Sequence, residues 1–409
     1  MLIPRRNRRT PMNPLSPFKA GGGLFLLCGA LHAAALAAVW VPWFLGLISP
    51  EMALPPSSWH AHEFLFGVVP AIIGGALLTA APNRTGRPLP AGWPLSMLLA
   101  VWIVGRLGLA GSAGLEPLTV ALLALLFPMS LVAVAGREFL LTRNGRNLTI
   151  LAVLAVLVGA QGLFHWELWR FGRSVHGTRL AVAALLAWTA LEAGIMPGIA
   201  GGWRKARGPS PPQVSSARLD GVAMGLGLLA LGIWISEDEG IVAEHLSGVL
   251  LLAAGLTQAA LLAQWRPRHA PSGPSVALLR VSYAFIPAGF LLAAWASLGG
   301  GAAFNAAALH AWTMGAIGGM ALRVMVRTAA GQSGPASTAS RLTTGIHLAV
   351  AAAACARVAA ALDPQRTMLL IPLAGALWIA AFLTFALLHG RMSGRRASGD
   401  ANRHNHAPT

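Results

Sequence analysis

The sequence predicts an all-α fold: a polytopic membrane helix bundle of about twelve transmembrane helices with both termini cytoplasmic. Three observations carry this expectation. Of the 409 residues, 56% are hydrophobic and only 11% charged, against about 25% charged in soluble domains. Apolar runs of about 20 residues, long enough to cross a bilayer, recur along the whole length. The basic residues behind the net charge of +17 fall mostly in short loops between these runs. That is the positive-inside pattern rather than a nucleic-acid surface.

Residues 1–20 form a basic cytoplasmic segment around Arg5-Arg6-Asn7-Arg8-Arg9. The run after it, 21–46, carries Trp40 and Trp43 and is too long for a signal-peptide core, so it reads as a retained first span. The next five spans are expected at 62–81, 92–111, 118–136, 149–168 and 179–199, completing a first half of 21–203. Residues 204–219, rich in Pro, Ser and Arg, form a cytoplasmic linker. The second half, 220–390, holds spans at 221–236, 245–264, 276–298, 303–326, 342–362 and 367–389. The basic tail 391–409 is expected to be disordered. Two halves of six spans suit a transporter built from repeats, although the halves share no clear sequence similarity.

Loop charge sets the orientation. Arg84 and Arg87, Arg137, Arg143 and Arg146, Arg204, Lys205 and Arg207, Arg266 and Arg268, Arg327 and Arg341, and Arg391 onward share the cytoplasmic side. Glu51, Glu116, the Glu237-Asp238-Glu239 cluster, Glu244 and Asp363 fall outside. Arg170 and Arg173 break the pattern. Prolines 42, 70, 128, 197, 287 and 372 lie in or near spans, where each frees a carbonyl and invites a kink. Gly315, Gly318 and Gly319 should let a neighbouring helix approach the tenth span closely.

Cys28 and Cys355 stand alone inside apolar runs, so there is neither a CxxCH haem attachment site nor a disulfide framework. Ionisable side chains inside spans are costly and mark the bundle interior. Here they are His32, His62, Glu63, Arg106, His165, Glu192, His310, His347 and Arg357. The densest group is Trp59-His60-Ala61-His62-Glu63-Phe64 at the entrance to the second span. With Ser58 as N-cap, His62 and Phe66 share a face, and His60 and His62 lie roughly 200° apart around the axis. They therefore serve different sites unless the first turn is irregular. Given the orientation above, His60, His62, Glu63, His165, His176 and His310 all fall in the outer half, and imidazole suits both haem iron and copper. Met314, one turn from His310, offers a soft sulfur, although methionine most often just fills gaps. A lone histidine such as His32 or His347 is more often bonded to a backbone carbonyl across a helix pair. Arg106 and Arg357 are expected to pair with Glu192 or with carbonyls.

Four stretches go further: WHAHEFLFG at 59–67, GALLTAAPNRTGRPLPAGWPL at 75–95, SYAFIPAGF at 282–290 and LHAWTMGAIGGMALRVMVRTAAGQSG at 309–334, with GIMPG at 194–198 as a weaker fifth. In these stretches the chain resembles the NnrS family of bacterial multi-span membrane proteins associated with the nitric oxide response. The resemblance implies a haem- and copper-containing protein of the bacterial cytoplasmic membrane that helps cells tolerate nitric oxide and nitrosative stress. It implies His60, His62 and His310 as the leading metal ligands, with His165 and His347 as further candidates beside Met314, which its spacing from His310 offers. The chain departs from the family at Arg84, where an aromatic residue is usual, and at Arg280, where the family has histidine; His347 or His165 would then stand in. A partner that donates electrons is expected if nitric oxide is reduced. The competing reading is a secondary transporter of a small solute using Glu192, Arg106 and Arg357 in the interior. A scaffold without chemistry of its own ranks last, because the short loops offer little surface to a soluble partner.

Overall fold

A computed structural model describes residues 22–85, 92–110, 114–142, 145–193, 217–237, 241–264, 274–333 and 341–405. The amino-terminal segment 1–20, most of the linker 204–219 and the GIMPG motif lie outside these residues, as does the side chain of Arg84.

Twelve helical rods make up the described chain. They are α1 (Gly22–Phe44), α2 (Pro56–His62 continuing through Glu63–Val68 into Val69–Thr85), α3 (Trp93–Leu109) and α4 (Pro117–Thr142). Next come α5 (Gly145–Phe171), α6 (His176–Ala193), α7 (Ala217–Ile235) and α8 (Ile241–Gln264). The last four are α9 (Pro274–Trp295, with Ala296–Gly300), α10 (Ala302–His310, Ala311–Gly318 and Gly319–Ser333), α11 (Arg341–Leu362) and α12 (Thr367–Asn405). Among the described residues, nine helices are long and apolar enough to cross a membrane, so the chain is an all-α, multi-pass membrane protein.

Burial grades the rods. In α2 the apolar stretch Pro56–Thr79 is 89% buried, whereas the corresponding windows of the other candidate spans are 28–56% buried. A helix apolar on all sides yet hidden from lipid belongs at the centre. Side chains from every rod join one apolar core, and indole nitrogens stitch it together. Trp102 of α3 donates to the Gly67 carbonyl of α2, Trp312 of α10 to Ile286 of α9, and Trp378 of α12 to Ala33 of α1.

Two rods widen into π-helical turns, at Glu63–Val68 in α2 and at Ala311–Gly318 in α10. In α2 the amide of Val69 reaches back five residues to Phe64. Pro70 has no amide to offer Phe66, and the wider turn just before it accommodates that loss. In α10 the three glycines do what their size suggests: a β-carbon on Gly315 would strike Phe285 of α9, on Gly318 Trp378 of α12, and on Gly319 Ser282 of α9. Pro42, Pro128, Pro287 and Pro372 all sit inside helices.

Two expectations need correction. The second rod begins at Pro56 with Pro55 as its N-cap, not at Ser58, because the carbonyl of Pro55 already accepts from the amide of Trp59. The tenth rod runs to Ser333, so Arg327 is in a helix rather than a loop. The last rod continues as a helix to Asn405.

Candidate metal centre

The groups singled out in the sequence gather at α2, but in pairs. His62 is fully buried, and its Nε2 lies 3.1 Å from Nε2 of His165 on α5. Gln161, one turn before His165, brings its side-chain amide to 3.3 Å from the same His62 nitrogen. The Gln161 Oε1 atom is buried without a hydrogen-bond partner, an acceptor that rotation of the side-chain amide brings into the site. Aromatic rings wall it: His62 packs against Phe66 at 5.2 Å and Phe164 at 5.5 Å between ring centroids.

Behind His62 stands Glu63, 1% exposed. Its Oε2 accepts from His32 Nε2 of α1 at 2.5 Å and from Arg106 of α3 at 3.1 Å. Its Oε1 faces His62 Nδ1 at 3.7 Å. The carboxylate thus balances the guanidinium and keeps a negative charge on the Nδ1 side of His62, which favours the tautomer with its lone pair on Nε2. Gly67 permits this packing, since a β-carbon there would fall on the Arg106 guanidinium and 3.1 Å from both Glu63 Oε2 and His32 Nε2.

His60 points elsewhere, as its position on the helix requires. Its ring stacks on Trp40 of α1 at 4.4 Å, and its Nδ1 is buried with no hydrogen-bond partner. Its electrostatic neighbours are His310 of α10 and Arg357 of α11, and Arg357 acts on both imidazoles. His310 donates Nδ1–H to the carbonyl of Ala306 at 2.7 Å, leaving Nε2 with the lone pair.

The remaining candidates lie apart. Met314 packs against the apolar core. His347 is tied through Nδ1 to Thr343 O at 2.8 Å, with its neighbouring charge at Arg323. Arg280 is half-buried on α9. Glu192 pairs with Arg327 at 2.5 Å and Arg106 with Glu63. The expected pairing of Arg106 or Arg357 with Glu192 therefore does not form: the charge nearest Glu192 comes from an arginine that span lengths had placed in a loop. Among the described residues no set of three or more His, Cys, Asp or Glu side chains is gathered to hold a metal ion. His62 and His165 meet as a pair, while His60 turns to Trp40.

Sequence reasoning missed two partners. Gln161 had a usable signal, Gln and His four residues apart on one face of an apolar helix. Glu167 had none: it accepts from Ser174, from the amides of His176 and Gly177, and from His176 Nδ1, capping the start of α6 from the preceding helix.

The two nitrogens of His62 and His165 suit one metal ion. At 3.1 Å apart, both lone pairs can reach the same ion at the usual imidazole bond length of about 2 Å. Imidazole nitrogens joined by an amide oxygen are a donor set that copper accepts.

Against known proteins, the family described as NnrS protein matches residues 18–396. No curated protein matches the chain.

Proposed function

The chain belongs to the NnrS family, and from that membership we propose that it is a haem- and copper-binding protein of the bacterial cytoplasmic membrane that acts in the nitric oxide response and in tolerance of nitrosative stress. The observation that carries the reading is the buried pair His62–His165, two neutral nitrogen donors 3.1 Å apart in the most buried rod and its neighbour. Two buried imidazole nitrogens at that distance, with the Gln161 side chain alongside, form a donor set that a metal ion can take.

The residues around the pair have distinct tasks. His62 and His165 hold copper, with Gln161 as a third, weaker donor. Glu63 orients His62, while Arg106 and His32 hold Glu63 in place. Phe66 and Phe164 exclude water. Copper, when bound, supplies a centre with affinity for a small uncharged gas, and nitric oxide reaches it through lipid and apolar side chains without needing an aqueous channel. Nothing in this arrangement requires the transported-solute reading, whose Glu192 and Arg106 are paired with Arg327 and Glu63 in separate parts of the bundle.

The test is copper and iron counted on detergent-purified protein from metal-replete cells, alongside oxidised and reduced absorption spectra with and without nitric oxide. Stoichiometric copper that is lost in His62→Ala and in His165→Ala supports the assignment. Protein that is folded, free of both metals and spectrally indifferent to the gas would overturn it.

A further inference from the structure

A cavity of about 30 Å³ lies among α6, α7, α8 and α9, helices that supply none of the groups around His62. Its lining explains why it stays open. Ala187 and Ala190 of α6 and Gly227 of α7 stand where longer side chains would fill the space. Helix packing does not demand Gly227: a β-carbon there would lie 3.4 Å from Gln258 Nε2 and 3.8 Å from Phe290 Cζ, both ordinary contacts. The glycines of α10 differ, because β-carbons on them would strike their neighbours. The stretch SYAFIPAGF, which the metal centre leaves unused, gives the wall Tyr283, Ile286 and Phe290.

Two polar side chains reach the cavity, and both are engaged. The Tyr283 hydroxyl donates to Gln258 Oε1, and Gln258 Nε2 donates to the Ala223 carbonyl of α7 at 3.0 Å. With its polar groups paired, the space has little to offer water, and apolar cavities stay dry and take up neutral guests such as xenon. Size narrows the guest further. Benzene is held by a cavity of about 150 Å³; one a fifth as large has room for a molecule of two atoms but not for a ring. The mouth faces lipid: α7 has the least buried apolar window of the candidate spans, at 28%, and Leu228 on the lining is 51% exposed. The deep wall leads inward. Phe290 packs on Trp312 of α10 at 5.2 Å between ring centroids, and the Trp312 indole donates to the Ile286 carbonyl at 3.1 Å.

We propose that this cavity is a docking site for one molecule of a neutral diatomic gas that enters from the lipid, and that its guest is nitric oxide. The choice of gas rests on the nitric oxide reading above; the site itself rests on its size, its dryness and its mouth. Nitric oxide carries no charge, dissolves in an apolar phase and needs no hydrogen bond to remain there. An ion would find no counter-charge on the lining, and a polar solute would find the Gln258 and Tyr283 groups already bonded.

The test uses the full-length protein with isotope-labelled tyrosine. Tyr283 is the one tyrosine of the chain, so a single NMR signal reports on the cavity wall. Under rising xenon pressure that signal should shift and saturate, as filling of one site does, and dissolved nitric oxide should perturb the same signal and compete with xenon. Gly227→Leu and Ala190→Leu fill the space from different helices, and each should abolish the saturable response while tryptophan fluorescence shows the fold retained. Gly225→Leu, on the exposed face of α7 with nothing within 4 Å of its β-carbon, should keep it. A shift that grows linearly with pressure and is the same in the filled variants is gas dissolved in detergent only, and it overturns the site. Saturable xenon binding with no effect of nitric oxide overturns the choice of guest. Copper and iron are counted on the same sample. Folded protein free of both metals, in which Tyr283 still answers to both gases, would sink the metal reading and leave the docking site standing.

Discussion

The ion pair beneath the metal centre gives the sharpest energetic prediction. Glu63 and Arg106 meet at 3.1 Å, with side chains 2% and 10% exposed. At that distance, with an effective dielectric of about 20, their attraction is roughly 5 kcal/mol. Removing one partner leaves the other charge buried, a change that costs about 3–5 kcal/mol in proteins, whereas replacing both by apolar side chains costs far less. Arg106→Leu should therefore destabilise the protein by about 3–5 kcal/mol. The double variant Arg106→Leu/Glu63→Leu should recover most of that loss, the residue being the hydrogen bond to His32 of about 1 kcal/mol. The assay is reversible unfolding in mixed micelles, followed by tryptophan fluorescence for the wild type, both single variants and the double. A single-variant loss within about 1 kcal/mol of zero, or a double variant whose loss equals the sum of the singles, would refute the argument, because contacting groups must show coupling.

Other perturbations have equally definite outcomes. Glu63→Gln keeps the shape but removes the charge behind His62, so copper affinity should fall about 10–100-fold, measured by competition with a chelator; unchanged affinity would mean that His62 is oriented by something else. Gly67→Ala places a methyl group on the Arg106 guanidinium and should cost about 1–3 kcal/mol by overpacking in the same unfolding assay. Trp312→Ala removes a fully buried indole that packs on Trp234 and Phe290 at 5.2 Å each and should cost about 3–5 kcal/mol, read in the same way. At the end of α7, beyond the apolar stretch, burial pushes the Glu237 carboxyl above its usual range, opposed by Arg179 nearby. The folded chain then holds this proton more tightly than the unfolded chain, so the group's contribution to stability is largest at low pH and is lost as pH rises through the raised value. Glu237→Gln should flatten that slope in a pH series of unfolding midpoints.

The sequence by itself determined the rods and their class. Twelve apolar lengths, few charges and the placement of arginine in short stretches are local properties, and hydrophobic length is sufficient to specify a span. It also determined that His60 and His62 would face different ways, since helical geometry alone separates residues two apart. The glycines of α10 announced close packing without naming what would approach, and the family motifs marked α2 and α10 as the rods that matter. Partnership is different. That His62 meets His165 rather than His310, that Arg106 serves Glu63, that Glu192 takes Arg327, and that α12 closes on α1 are facts about residues far apart in the chain. Span periodicity is blind to rotation about each helix axis and to which rods are neighbours; packing of small against large side chains, and the cost of leaving any buried charge without a partner, decide both.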